Sequence, residues 1–223
     1  MSPLLDLLLL RWPELLTATW QHIYISLGSV ALGALLAVPL GIWLSTREHI
    51  SRMVLGVVGT IQTIPSLAFF GFVLPILGIG ILPAMSVLFL YSLLPILRNT
   101  YTGIREVDPA LIEAGRGMGM NSRQLLFMVK LPVALPVIMA GIRISTVYII
   151  SWTTIAALIG AGGLGDLIWG GMNVYDIWLI VAGTIPAALL ALLAGFTLGR
   201  LEKTVTPRGL KAGYTSGEGE FNI

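Results

Sequence analysis

Between Arg52 and Arg98 the chain carries no Asp, Glu, Lys or Arg. As a single helix, residues 53–97 would be about 67 Å long at 1.5 Å per residue, twice the ~30 Å hydrocarbon thickness of a bilayer. Such a run must fold back on itself. The breaker is GIGILP, residues 78–83, which predicts two membrane spans near 54–77 and 81–97. Residues 15–46 form a second charge-free run, with a span over 20–45. The sequence LPVALPVIMAGIRISTVYIISWTTIAALIG predicts a fourth span ending near Gly160, and residues 173–199 predict a fifth. With 56% hydrophobic and only 11% charged residues, the chain could not clothe a soluble surface, which carries roughly 25% charge. The fold class is all-α: a polytopic membrane protein with about five transmembrane helices.

Five spans put the termini on opposite sides, and the Lys/Arg distribution orients them. Arg47 and Arg52 lie between the first two spans, and Arg98, Arg105, Arg116, Arg123 and Lys130 between the third and fourth. Arg200, Lys203, Arg208 and Lys211 follow the fifth. The loops over 78–80 and 161–172 have none. The expectation is therefore N-out and C-in. Because the basic residues sort by membrane side, a nucleic-acid partner is rejected despite the net charge of +2. The lipid bilayer is the expected partner of the spans. The run LLDLLLL at residues 4–10 holds Asp6 and has no basic residue before it, so it reads as a short interfacial helix ending near Arg11–Trp12–Pro13 and not as a signal peptide. The expected organisation is an external segment over 1–19, a membrane domain over 20–200, and a cytoplasmic tail over 201–223. The polar, glycine-rich KAGYTSGEGEFNI makes that tail a candidate for disorder.

Cysteine is absent, and His22 and His49 are far apart, so thiol chemistry and a His-rich metal cluster are excluded. No catalytic residue, metal or cofactor is expected. The longest polar interruption is EAGRGMGMNSRQLLFMVKLP, residues 113–132. Upstream, Asp108 and Pro109 make a helix start: the carboxylate caps free N–H groups and proline suits the first helical position. Gly117 and Gly119 can take the left-handed geometry that ends this helix. Asn121 or Ser122 can cap a second helix that stops at Pro132. The two short helices make a knob, with Leu111, Ile112, Leu125, Leu126 and Val129 as its expected apolar face. A plain loop with incidental amphipathicity is the alternative, and the spacing decides against it.

That spacing runs Glu113–Ala114, Gly119 six residues after the glutamate, then Val129, Leu131 and Pro132. It resembles the EAA motif of ABC importer permeases, with Gly115 where a second alanine is usual and Val129 where isoleucine is usual. The resemblance implies a pair of coupling helices seated in a groove of a separate ATPase subunit, formed by Glu113, Ala114, Gly119, Val129, Leu131 and Pro132. It also implies that ATP hydrolysis belongs to that partner, that a second permease subunit (a copy or a paralogue) completes the pathway, and that an extracytoplasmic solute-binding protein delivers solute. The location implied is the bacterial or archaeal cytoplasmic membrane.

TIPSLAFFGFVLP, residues 63–75, and IGAGGLGDLIWGGM, residues 159–172, are similar to permeases for glycine betaine, carnitine, choline and related compatible solutes. The likeness runs over about residues 15–205. GAGGLG is shared with methionine importers too, so methionine or another small polar solute is the runner-up. Gly160, Gly162, Gly163 and Gly165 have the look of a phosphate cradle, but no strand precedes them and they fall outside the cell; a close-packed turn at the outer mouth, with Gly162, Gly163 and Gly165 as gate residues, fits better. Tyr148 and Trp152, spaced i and i+4 on one helix face, are candidates with Pro65 and Ser66 for the translocation pathway. Their rings could attract a quaternary ammonium, or they could simply pack. Trp169 belongs to the same aromatic set. Arg143, inside the fourth span, either snorkels to the cytoplasmic end or faces another subunit or a carbonyl cluster. A secondary transporter would place ionisable groups at the midplane, whereas Asp166 and Asp176 fall in or beside the outer loop.

Overall fold

The computed structural model describes residues 3–206, with side chains from Leu10 onward. The glycine-rich tail expected over the C-terminal residues lies, from residue 207, outside the described residues. Helix α1 spans Pro3–Leu44. The expected separate helix over 4–10 is its first part, set off only by a kink at Arg11 (φ −112°, ψ 16°). Pro13 accounts for the kink, since it lacks an N–H and its ring crowds the preceding turn. Then follow α2 (Glu48–Thr63), α3 (Ser66–Leu77), α4 (Ile81–Arg105) and the short α5 (Pro109–Gly117). Helix α6 (Ser122–Gln124) passes through a π-helical segment (Leu125–Lys130) into α7 (Leu131–Ala156). Helices α8 (Leu164–Val174) and α9 (Ile177–Val205) complete the described chain.

Among the described residues four helices are long and apolar enough to cross a membrane: Leu10–Leu44, Ile81–Arg105, Ser122–Ile159 and Ile177–Val205. The second expected span is not straight. It is the pair α2–α3, bent by 95°. The bend falls at Ile64, which is extended (φ −66°, ψ 127°) because the following Pro65 disfavours helical geometry there. The pair still connects the two ends of the bundle. Arg105, at one end of α4, lies 3.5 Å from Glu48 at the start of α2. Gly80, at the other end of α4, donates its N–H to Ile159 O at 2.8 Å. Those ends are about 36 Å apart by helical rise. The pair therefore makes the fifth crossing.

Three further expectations are corrected. The second hairpin helix does not stop at Pro132. The π turn lets the Leu131 N–H reach back to Leu126 O, and Pro132, which has no N–H to give, follows this widened turn at the start of α7 without ending the helix. The chain is helical from Ser122 to Ile159. The outer loop expected over 161–172 is largely the helix α8, which folds back against α9. The fifth crossing consequently begins at Ile177 and not at residue 173.

Apolar side chains gain little by meeting each other in lipid, so close backbone approach and interhelical hydrogen bonds hold such bundles together. Helices α1, α4 and α7 are stacked in this way. A Cβ on Gly33 would run into Ser92, and one on Gly141 would lie 2.9 Å from Pro95 O. Ser145 donates its hydroxyl to Ser92 O at 3.1 Å. Tyr91, Ile25, Leu88, Ile96 and Ile149 fill the core between these helices. Arg143 meets Glu202 on α9 at 3.5 Å, passing over Gly199, where a Cβ would crowd its guanidinium at 3.0 Å. This places Arg143 level with the charged end of α9, as the snorkelling reading expects.

Gly165 makes the tightest approach to backbone among the described glycines: an added Cβ would lie 2.3 Å from the Thr154 carbonyl oxygen, an atom unable to yield. Gly56 faces open space. Thermal unfolding in detergent should find Gly165→Ala destabilised by about 1–3 kcal/mol, with a lower Tm, and Gly56→Ala unchanged or slightly stabilised. Equal Tm values for the two variants would contradict this packing.

Candidate functional site

The hairpin after α4 is fixed by its own local bonds. Asp108 Oδ1 accepts the Ala110 N–H at 2.8 Å and starts α5. Gly119, with φ +79°, turns the chain, while Gly117 remains helical. Asn121 and Gln124 form a reciprocal capping box, each side-chain oxygen accepting the other's N–H at 2.9 Å. Gly115 has a direct reason to lack a Cβ, which would sit 2.6 Å from Leu125 Cδ2. Leu125 is the buried pin of the hairpin.

Glu113 and Ala114 are exposed on α5, and Val129, Leu131 and Pro132 are half-buried where the hairpin joins α7. The expected apolar face is mostly an internal seam, because Ile112, Leu126 and Val129 are half-buried beside Leu125. Leu111 stays exposed. The large apolar side chains that point outward are Met118, Phe127 and Met128, at 71%, 61% and 63% exposure. Phe127 and Met128 fall on the helix face opposite Leu125, Leu126 and Val129, and Met118 falls in the turn after α5, so a search for the buried apolar face passes over all three. Arg116 and Arg123 stand exposed beside them.

A second cluster surrounds the bend of α2–α3. Tyr148 and Trp152 stack with ring centroids 6.2 Å apart. Trp152 meets Tyr91 edge-on at 4.5 Å, and Tyr91 meets Phe69 at 5.6 Å. The Tyr91 hydroxyl donates to Ile64 O at 2.5 Å, immediately before Pro65 and Ser66. All four pathway candidates are thus brought together, but through two residues the sequence reading did not name. The available signal was physical: a tyrosine inside a charge-free span must find a partner for its hydroxyl. Trp169 lies elsewhere, its Nε1–H donating to Thr154 O at 3.0 Å. The exposed face of Tyr148, joined to Trp152, is a π surface able to attract a cation.

The third cluster is at the end opposite the hairpin. Gly160, Gly162 and Gly163 have φ of +75°, +81° and +83°, so the turn demands glycine. Gly165 follows inside α8, against α7. The Gly163 N–H donates to Gln21 Oε1 at 3.1 Å, and a Cβ there would strike His22. His22 is fully buried and its Nε2–H donates to Ile150 O at 2.9 Å. Gln21 and His22 clamp this turn to α1 and α7, a role with no signal in local sequence. Beside the turn, Pro13, Glu14, Gln21, Gly163 and Asp166 line an open cleft of about 340 Å³, and partial burial raises the Asp166 carboxyl above its ordinary range.

A bundle of apolar crossings with one self-capped polar hairpin and an aromatic cluster at a broken span is built as a membrane permease. Residues 29–209 match the family described as binding-protein-dependent transport system inner membrane component, and the chain belongs to that family. It is 52% identical over 205 residues to the carnitine transport permease protein OpuCB of Listeria monocytogenes, covering 92% of this chain and 94% of that protein. It is 50% identical over 198 residues to the choline transport system permease protein OpuBB of Bacillus subtilis (strain 168), covering 89% and 91%. Among solved structures, an inward-facing conformation of the MetNI methionine ABC transporter superposes with a TM-score of 0.78 at 23% identity, over 93% of this chain and 100% of that one, which establishes the shared fold.

The local origin of the hairpin's cap is open to measurement. Asn121→Ala removes half the capping box and should cost about 1 kcal/mol locally. Amide exchange at residues 121–124 should accelerate about five-fold while exchange within α4 and α7 stays unchanged. Acceleration spread evenly through α7 would contradict a locally acting cap.

Proposed function

We propose that this chain is the permease subunit of an ATP-driven ABC importer for compatible solutes of the quaternary ammonium kind, such as carnitine, glycine betaine or choline. Two permease subunits form the pathway, two ATPase subunits sit on the hairpins at the cytoplasmic face, and an extracytoplasmic binding protein delivers solute. Closure of the ATPases on ATP draws the hairpins together and turns the bundle from inward-facing to outward-facing; hydrolysis resets it. This chain itself makes and breaks no covalent bond.

One observation carries the coupling role. The hairpin over 108–130 holds its own shape through Asp108, Gly119 and the Asn121–Gln124 box, and it presents Met118, Phe127 and Met128 amid Arg116 and Arg123. A rigid apolar knob with a charged rim suits a protein groove. Glu113 and Ala114 would lie in its first helix, Gly119 at its turn, and Val129, Leu131 and Pro132 at its root. The solute class draws support from the relatives, which are named for carnitine and choline, and from the aromatic wall of Tyr148 and Trp152 beside Pro65 and Ser66. In this reading Gly162, Gly163 and Gly165 form the hinge of an outer gate. Methionine or another small polar solute is the runner-up.

The test is reconstitution with the ATPase and binding protein, with ATP turnover measured against a solute panel. Quaternary ammonium solutes should stimulate turnover; stimulation by methionine alone would overturn the solute class. In the same system Glu113→Lys and Gly119→Pro should insert normally yet lose at least ten-fold in stimulated turnover or in ATPase co-purification, since proline cannot take φ +79°. Undiminished yield and activity with both variants would remove the hairpin from the mechanism.

A further inference from the structure

The turn between α8 and α9 contains Tyr175, whose φ of +57° is the one positive value outside glycine among the described residues. Left-handed backbone strains an L residue, and glycine, asparagine or aspartate occupy it more readily. A tyrosine there needs a compensating use. Nothing within the described chain supplies one: the side chain is 94% exposed and makes no hydrogen bond among the described residues.

The turn itself is rigid. The Asp176 N–H donates to Gly171 O at 2.8 Å. Asp176 Oδ1 accepts from the N–H groups of Trp178 at 3.0 Å and Leu179 at 3.3 Å. Gly171 packs so tightly that a Cβ would lie 2.8 Å from the Ile180 nitrogen. The tyrosine is thus held on a fixed platform, flanked by Val174 and Ile177 at 69% and 64% exposure.

Its position is equally specific. Gly163 lies beside Gln21, and Asp166 shares a cleft with Glu14, so α8 climbs along α1 away from the hairpin end. From Asp166 to the end of α8 is about 12 Å more at 1.5 Å per residue. The turn therefore stands past Arg11 and Glu14, beyond the level at which α1 becomes charged.

We infer that Tyr175, with Val174 and Ile177, is an anchor on which the solute-binding protein docks. The inference rests on the reading under Proposed function, in which the opposite end belongs to the ATPase. The family is binding-protein-dependent, so a protein partner must engage the other end. An exposed aromatic on a preorganised turn is what such an anchor requires, because little freedom remains to be lost on association.

The strain supplies the test. Tyr175→Gly suits the left-handed turn and should leave Tm equal or higher, and it should leave ATP turnover without binding protein unchanged. Affinity of the reconstituted permease–ATPase complex for its own solute-loaded binding protein should fall at least ten-fold. Tyr175→Phe, which keeps the ring, should stay within about three-fold of wild type. Undiminished affinity in Tyr175→Gly overturns the inference, as does a loss accompanied by a lower Tm, which would make Tyr175 structural. A loss seen in nanodiscs but not in detergent would make it a bilayer anchor and also overturns it. A wild-type complex that binds no such protein overturns the importer reading itself, and this inference with it.

Discussion

A backbone amide or carbonyl stranded in hydrocarbon costs several kcal/mol, and this constraint organises the molecule. A straight helix meets it internally. Each departure from a straight helix must meet it with a named partner. At the bend of α2–α3 the Tyr91 hydroxyl takes Ile64 O; at the start of α4 the Gly80 N–H finds Ile159 O; at the glycine turn the Gly163 N–H finds Gln21; and Trp169 reaches Thr154 O. The breaks are also where the residues proposed for the pathway and the outer gate gather. Irregular backbone is tolerated inside a membrane protein where it is covered by protein or lines a cavity, so the costly places coincide with the proposed functional ones.

The second consequence is mechanical. The hairpin's second half is continuous with a crossing: α6, the π segment and α7 form one helical rod from Ser122 to Ile159. That rod carries Tyr148 and Trp152. A displacement of the hairpin therefore reaches the aromatic wall without an intervening flexible joint. At its far end the rod receives the His22 hydrogen bond at Ile150 and packs against Gly165, so it also touches the glycine turn. Close glycine contacts along α1, α4 and α7 make the bundle a set of packed bodies that shift discretely.

Much of this was legible in the sequence. Charge-free runs and the Lys/Arg distribution gave five crossings, and Asp108, Gly119, Asn121 and the EAA-like spacing gave the hairpin. What stayed hidden had three physical causes. The π turn over Leu125–Lys130 carried the helix through Pro132, which the sequence reading takes as a stop. The run GGLGDLIWGGM is glycine-rich enough to read as loop, yet α8 forms there because Gly165, Gly171 and Gly183 let it lie directly on α7 and α9. Tyr91, Gln21 and His22 act across long sequence separations, as a hydroxyl, an amide and an imidazole meeting distant backbone groups, and no local pattern announces such partners.

The account stands or falls on the hairpin and the glycine turn facing opposite sides of the membrane, with the hairpin inside. The chain contains no cysteine, so single cysteines can be read without background. Met118→Cys places one on the hairpin, and Ile79→Cys places one beside the glycine turn; both side chains are more than two-thirds exposed, at 71% and 79%. With a membrane-impermeant thiol reagent on intact cells, the cysteine at 79 should label and the one at 118 should label only after the membrane is opened. Labelling of the cysteine at 118 from outside intact cells would contradict the account.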